Sequence, residues 1–421
     1  MEPLKLINNK KEWLYLFIIF LLFFSFNSYK EYNNFKEFSS DEIYQTSGKV
    51  LNIFPDKDQT KNTNIAKIET ANFTFFTSIP NTIELKQSNH IEFIVVSQKV
   101  TFYDFVKGFF APTFNVELLP SNPTIIENIN QTILAQHQNS LIGNLFNTLF
   151  FATSLNKELQ NLCAIYGISH IVAISGFHLG IISFVLFFIF NLLYSPIHQK
   201  YFPYRNKKVD ILILISVILF LYLLAINLVP SFLRSFLMFL FGLFLLRSNI
   251  KLFSFISLFL VILIIIALYP KLLFSLSLWF SVAGVFYIFL YIQYFNTLNK
   301  YLSFLLFNFW IFFAINPITH FFFGTTSIIQ LLSPLITIGF IIFYPIELFL
   351  HLIGYGDILD NLIYIWINTN PSSMIFLTPT FIFIGHIIIS FLAVQYRIWF
   401  YVLNLDILIF NSYLYYFIYY G

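Results

Sequence analysis

The stretch GISHIVAISGFHLGIISFVLFFIFNLLY, Gly167 to Tyr194, decides how this chain is to be read. From His170 to Tyr194 it supplies the roughly 20 mostly apolar residues that an α-helix needs to cross a bilayer. Its beginning places His170, Ser175 and His178 at the mouth of that run. Polar groups in lipid are costly unless they face a partner or water. At about 100° per residue the two histidines lie about 80° apart, and Ser175 lies about 140° from His170. All three therefore share one side of a helix, provided Gly176 does not break it, and that side is expected to face a bundle interior or an aqueous path. A second reading stays open: interhelical hydrogen bonds and close packing at Gly176 and Gly180, with no chemistry.

The rest of the chain has the same character. Its 421 residues are 58% hydrophobic and only 10% charged, against about a quarter charged in ordinary soluble domains. A water-soluble fold cannot hide so much apolar side chain, so the expected class is an α-helical polytopic membrane protein. The abundant Phe and Tyr are read as compositional bias. The net charge of +3 is too small to argue for a nucleic-acid partner. The single cysteine, Cys163, excludes an intrachain disulfide and a Cys-based zinc cluster, and is read as a small apolar helix residue. No metal or cofactor is expected.

Lys5, Lys10 and Lys11 precede an apolar run from Trp13 to Phe26, with no small-residue cleavage site after it. Residues 1–30 are read as an uncleaved anchor with a cytoplasmic N-terminus. From Tyr44 to Leu119 the pattern changes to period-two alternation, as in IAKIETANFTFFTSI and HIEFIVVSQKVTF, with polar turns such as FPDKDQTKNTN between. That predicts a small external all-β domain over 44–119, a sandwich or an OB-like barrel, without a basic groove. Pro112, Pro120 and Pro123 mark its exit. A helical membrane domain over 124–400 follows, opened by interfacial helices to Gln160, and 401–421 is read as an aromatic tail.

Beyond His170–Tyr194, candidate spans are Ile211–Leu228, Phe232–Leu246, Leu252–Tyr269, Leu272–Tyr294, Leu302–Phe323, Ile328–Phe349 and Met374–Val394. With the β domain outside, the loop bearing Lys200, Arg205, Lys207 and Lys208 falls in the cytoplasm, as do Arg247, Lys251 and Lys300. Lys271 breaks the rule. Pro334, Gly339 and Pro345 predict a broken or re-entrant helix in SPLITIGFIIFYP, with Pro334 structural.

Three more stretches carry polar candidates. In VPSFLRSFLMFL, Pro230 suits a helix's first turn, where its missing N–H has no partner. Arg234 then either snorkels or faces the pore, where its fork suits phosphate oxygens. In FSLSLWFSVAGV, Ser275, Ser277 and Ser281 either line a path or bond carbonyls one turn back. In LLSPLITIGFIIFYPIE, Ser333, with Gln330 just before this block, sits where the backbone needs partners.

In this order, HIVAISGFHLG, VPSFLRSFLM, FSLSLWFSVAGV and LLSPLITIGFIIFYPIE resemble the conserved blocks of the ComEC family of competence proteins, and the strand-rich segment resembles that family's OB-like external domain. The resemblance implies a channel in the bacterial inner membrane. It would take one DNA strand from surface receptor proteins, conduct it through the bilayer and meet cytoplasmic translocation proteins. His170, Ser175, Gly176, His178 and Arg234 would surround the path, with Ser277 and Ser333 as further lining candidates. Larger members carry additional leading spans and a C-terminal metallo-β-lactamase-like domain. This chain has no HxHxDH motif, so a short form with the nuclease supplied by another protein is expected, and no enzyme activity. A small-solute transporter is the main alternative. An intramembrane hydrolase using His170, Ser175 and His178 is the other, and it needs a base and an oxyanion site within reach of the serine.

Overall fold

Among the described residues the long apolar stretches are mainly helical, and the alternating segment forms a sheet. The computed structural model describes residues 9–55, 63–81, 83, 85, 89–120, 124–247, 254–295, 297 and 299–420. Expectations at Lys5, at 56–62 of the polar turn, at Pro123, at Lys251 and at Leu252 fall outside these residues.

Helix α1 (Lys10–Phe38) leads into strands β1 (Ile43–Pro55), β2 (Thr63–Thr70), β3 (Thr74–Pro80) and β4 (His90–Val96), then α2 (Phe102–Lys107), β5 (Phe109–Phe110) and β6 (Thr113–Leu118). The six strands form one sheet in the order β5-β3-β2-β1-β4-β6. All pairings are antiparallel except β3 with β5. The two ends of that order are separated in the chain only by Ala111 and Pro112, so the sheet curls until its edges meet. Thr77 Oγ1 and Thr113 Oγ1 lie 2.9 Å apart across this seam of the sheet. Alternate residues of β3 are buried, Phe75, Thr77 and Ile79, which is the small β domain that the alternation predicts. The anchor helix is also part of this domain's core. Phe38, its last residue, is buried against Phe73, Phe105 and Phe109.

The helical part runs α3 (Ile125–Gln136), α4 (Ser140–Phe151), α5 (Lys157–Ile165), α6 (Ser169–Val172), α7 (Gly176–Tyr201), α8 (Lys207–Ala225), α9 (Pro230–Arg247) and α10 (Phe255–Leu268). After a 3-10 turn at Pro270–Phe274 come α11 (Leu276–Phe295) and α12 (Lys300–Phe322). A short β7 (Thr325–Thr326) and a 3-10 turn at Ile328–Leu332 precede α13 (Ser333–Leu352) and α14 (Asp360–Ile367). Strand β8 (Met374–Ile375), α15 (Thr380–Gln395) and α16 (Arg397–Tyr420) complete the chain. Among the described residues, seven helices are long and apolar enough to span a bilayer, so this is a multi-pass membrane protein. They are Lys10–Phe38, Gly176–Tyr201, Lys207–Ala225, Leu276–Phe295, Lys300–Phe322, Ile328–Leu352 and Arg397–Ile418.

Four expectations change. The span expected from His170 begins at Gly176, so His170 lies on the preceding short helix α6 and does not share a helix face with Ser175 and His178. The break expected within SPLITIGFIIFYP lies before it: α13 is continuous from Ser333, with Pro334 in its first turn and Pro345 inside. Pro334 loses no hydrogen bond there, and Pro345 removes one rung only. The stretch Met374–Val394 is divided, β8 pairing with β7 before α15 starts. Finally, the segment read as a tail from 401 onward is not separate up to Tyr420. Helix α16 buries Leu403 and Ile407 in the core it shares with α11, α12 and α15. Polar rungs fix it: Trp310 Nε1 donates to Asn404 Oδ1 at 2.8 Å, and Asn316 Nδ2 to Asn411 Oδ1 at 2.7 Å.

Lys271 now has a local explanation. Its Nζ pairs with Glu31 Oε2 of α1 at 2.8 Å and donates to the Asn72 carbonyl of the β2–β3 turn at 3.2 Å. Lys49 Nζ of β1 likewise donates to Asn227 Oδ1 between α8 and α9 at 3.4 Å. The β domain therefore rests on the α8–α9 and α10–α11 connections.

Candidate functional site

The four polar stretches meet along one seam, built from the α5–α6 turn outward. Helix α5 ends with Gly167 in a left-handed conformation (φ 68°), and the Ile168 N–H reaches back to the Cys163 carbonyl at 2.9 Å. Glycine takes this conformation without a Cβ penalty. The Gly167 carbonyl is left facing outward. It accepts from Ser333 Oγ of α13 at 2.9 Å and lies 3.1 Å from His170 Nδ1. His170 Nε2 lies 3.3 Å from Thr337 Oγ1, one turn further along α13. Gln330 adds donation to the Ala164 and Thr325 carbonyls at 3.1 and 3.0 Å. Ser333 and Gln330 thus satisfy backbone groups where α13 meets the turn, and both are buried.

Ser175 caps α7. Its hydroxyl accepts from the Phe177 N–H at 3.3 Å, and its own N–H donates to His178 Nδ1 at 3.3 Å. Because Nδ1 accepts, the neutral His178 ring carries its hydrogen on Nε2. That Nε2 is fully buried and has no hydrogen-bond partner. The ring stands edge-on to Phe340 and Tyr344 of α13, with centroids 5.4 and 4.9 Å away.

On the other flank α7 approaches α9. A Cβ added at Gly176 would lie 2.7 Å from Ser235 Oγ, so only glycine fits this approach without a shift. Ser231, one turn earlier on α9, donates its hydroxyl to the Ile174 carbonyl. Arg234, between these two serines, points to α11, where Nη1 donates to Ser277 Oγ at 3.2 Å. The guanidinium is buried, 3% exposed, and its Nε has no partner. It is not an arginine that snorkels to a surface. Pro230 opens α9, as expected for a first-turn proline.

The seam therefore runs α13–α7–α9–α11. His170, Gly176 and Ser277 are exposed along it, whereas His178, Arg234 and Ser333 are buried behind. Gly180 does not play the packing role expected of it. Nothing lies within 4 Å of a Cβ added there.

His320, His351 and His386 do not join His170 and His178. His386 Nδ1 pairs with Asp406 Oδ2 at 2.6 Å, and its Nε2 lies 2.7 Å from the Tyr287 hydroxyl. His351 faces His137, and both ring nitrogens of the buried His320 lack partners. Among the described residues no group of three or more His, Cys, Asp or Glu side chains is placed to hold a metal ion. The Ser175 hydroxyl accepts the Phe177 N–H, and His178 Nδ1 binds the Ser175 backbone N–H, not its hydroxyl. The signal that sequence reading missed was Asp406, a lone carboxylate within an apolar aromatic run, which implies a buried partner. In the β domain, burial pushes the Lys67 ammonium below its usual range, and its Nζ lies over the Phe76 ring.

Comparison with known proteins gives one match. The family described as Competence protein matches residues 151–410, which covers the whole seam and the first part of α16. No curated protein and no solved structure matches the chain.

Proposed function

Since this chain belongs to the ComEC-like competence protein family, whose role is in DNA uptake, we propose that it is a channel conducting single-stranded DNA across the inner membrane. The observation that carries the reading is a pair of buried donors at the seam. His178 Nε2 and Arg234 Nε are both enclosed and both lack an acceptor in the protein. A buried donor left unsatisfied costs about 1–3 kcal/mol, more for a charged group. Water or phosphate oxygens entering beside exposed His170, Gly176 and Ser277 supply the missing acceptors. The arginine fork suits phosphate geometry. Sparse positive charge favours release over retention, as a conduit needs.

In this reading the N-terminus and the loop bearing Lys200 and Arg205 are cytoplasmic, and the β domain lies outside as an OB-like barrel. DNA is handed over by surface receptors and taken up by cytoplasmic translocation proteins. The test is deletion of the gene, scoring DNA bound at the cell surface separately from DNA that reaches the cytoplasm. Surface binding should persist while entry and transformation are lost. Normal transformation in the deletion strain rejects the channel.

A further inference from the structure

A second buried set of titratable groups lies away from the seam, where α3, α13 and α14 meet. His137, just after α3, and His351, in the last turn of α13, are each 8% exposed, and their Nε2 atoms face each other at 3.0 Å. His137 Nδ1 lies 2.8 Å from Asp360 Oδ1 of α14. His351 Nδ1 lies 2.7 Å from the Glu347 carbonyl oxygen and 3.4 Å from Glu347 Oε2. A carbonyl or an ionised carboxylate only accepts, so both Nδ1 atoms carry hydrogen. Two neutral rings have two hydrogens, and these contacts use both. The facing Nε2 atoms would then oppose two bare lone pairs at hydrogen-bond distance, whereas a third proton between them makes that contact a bond.

We infer that His137 and His351 together bind one proton between their Nε2 atoms, forming a clamp that holds α3, α13 and α14 together when loaded. Burial opposes the resulting charge. Asp360, bonded to His137 Nδ1, offsets it. Glu347, the other carboxyl group facing the pair, is fully buried with neither oxygen hydrogen-bonded. From α3, uncharged Gln136 donates to the His351 carbonyl at 3.2 Å and accepts from the Gly356 N–H at 3.0 Å. Helix α4 presents the rings of Phe146 and Phe150 to His351. Helix α13 also carries Ser333, Thr337, Phe340 and Tyr344 against His170 and His178, so the clamp braces one wall of the seam.

The bound proton stabilises the folded state at acid pH, and that contribution is lost as pH rises through the pair's titration. The test uses the full-length protein in detergent, heated at about pH 6 and about pH 8, the range in which histidine titrates. The wild-type unfolding midpoint should fall at the higher pH. His137→Gln, whose amide donates to His351 Nε2 without adding charge, should lose that dependence. Nitrogen-15 NMR of labelled histidines should show one proton shared by two Nε2 atoms at the lower pH, and it decides the matter if the variant does not fold. Equal pH dependence in both proteins, or two neutral rings at both pH values, overturns the inference. A midpoint that follows added zinc and chelator overturns it too, because the occupant is then a metal ion.

Discussion

At the residue scale, the account rests on His178 and Arg234 as donors that wait for an acceptor. Removing a charge-assisted contact of about 1.5–3 kcal/mol corresponds to about ten- to a hundredfold. Arg234→Ala and His178→Ala should each lower transformation by about that factor while protein level in the membrane stays unchanged; unaffected transformation in both removes them from the path. Arg234→Lys should restore little, because a point charge does not reproduce the planar fork. Gly176 has a separate, steric role. Gly176→Ala brings a Cβ to 2.7 Å from Ser235 Oγ, an overpacking that costs about 1–3 kcal/mol. Adding Ser235→Ala should return most of the lost thermal midpoint; independent effects of the two changes would show that this approach is not tight. The sequence showed these residues as polar or small groups in an apolar setting, which is why they were legible. It did not show that His170 bonds Gly167 and Thr337, because both contacts depend on how the chain turns before Gly176.

At the element scale, helix starts decide what the motif does. Ser175 and His178 form a capping box, so α7 begins at Gly176 and His170 is left on its own short turn. Helical periodicity read through that start and placed three side chains on one face; the cap overrides it. Ser175→Ala should cost about 0.5–2 kcal/mol in unfolding free energy, as other cap removals do. The His178 ring, held by the Ser175 backbone N–H, should keep its place, so transformation should fall only as far as protein level does; a steeper fall would show that the hydroxyl itself serves the path. The same competition explains α13. Three helix-breaking residues suggested an interior break, yet Pro334 sits where a helix tolerates proline, and the irregular backbone precedes it at Ile328–Leu332. Strand alternation was easier to read, because one buried face every second residue leaves little ambiguity in 44–119.

At the scale of the whole molecule, the apolar composition and the order of four polar blocks carried the class and the family. Two features lay beyond reach. The aromatic run after Tyr401 looks like a tail until Asn404, Asp406 and Asn411 are matched to Trp310, His386 and Asn316, partners on other helices 20 to 95 residues away. The histidine pair joins positions more than two hundred residues apart, which no local pattern reports. The central claim is that the α13–α7–α9–α11 seam is wetted and takes a DNA strand. The most direct measurement is aqueous thiol labelling of Ser277→Cys in a Cys163→Ala background, in membranes, with and without added single-stranded DNA. Phe184→Cys, on the exposed apolar side of α7, serves as the lipid-facing control. The account predicts rapid labelling at position 277, slowed by the DNA, and little labelling at 184. Equal, slow labelling at both positions with no effect of DNA contradicts it.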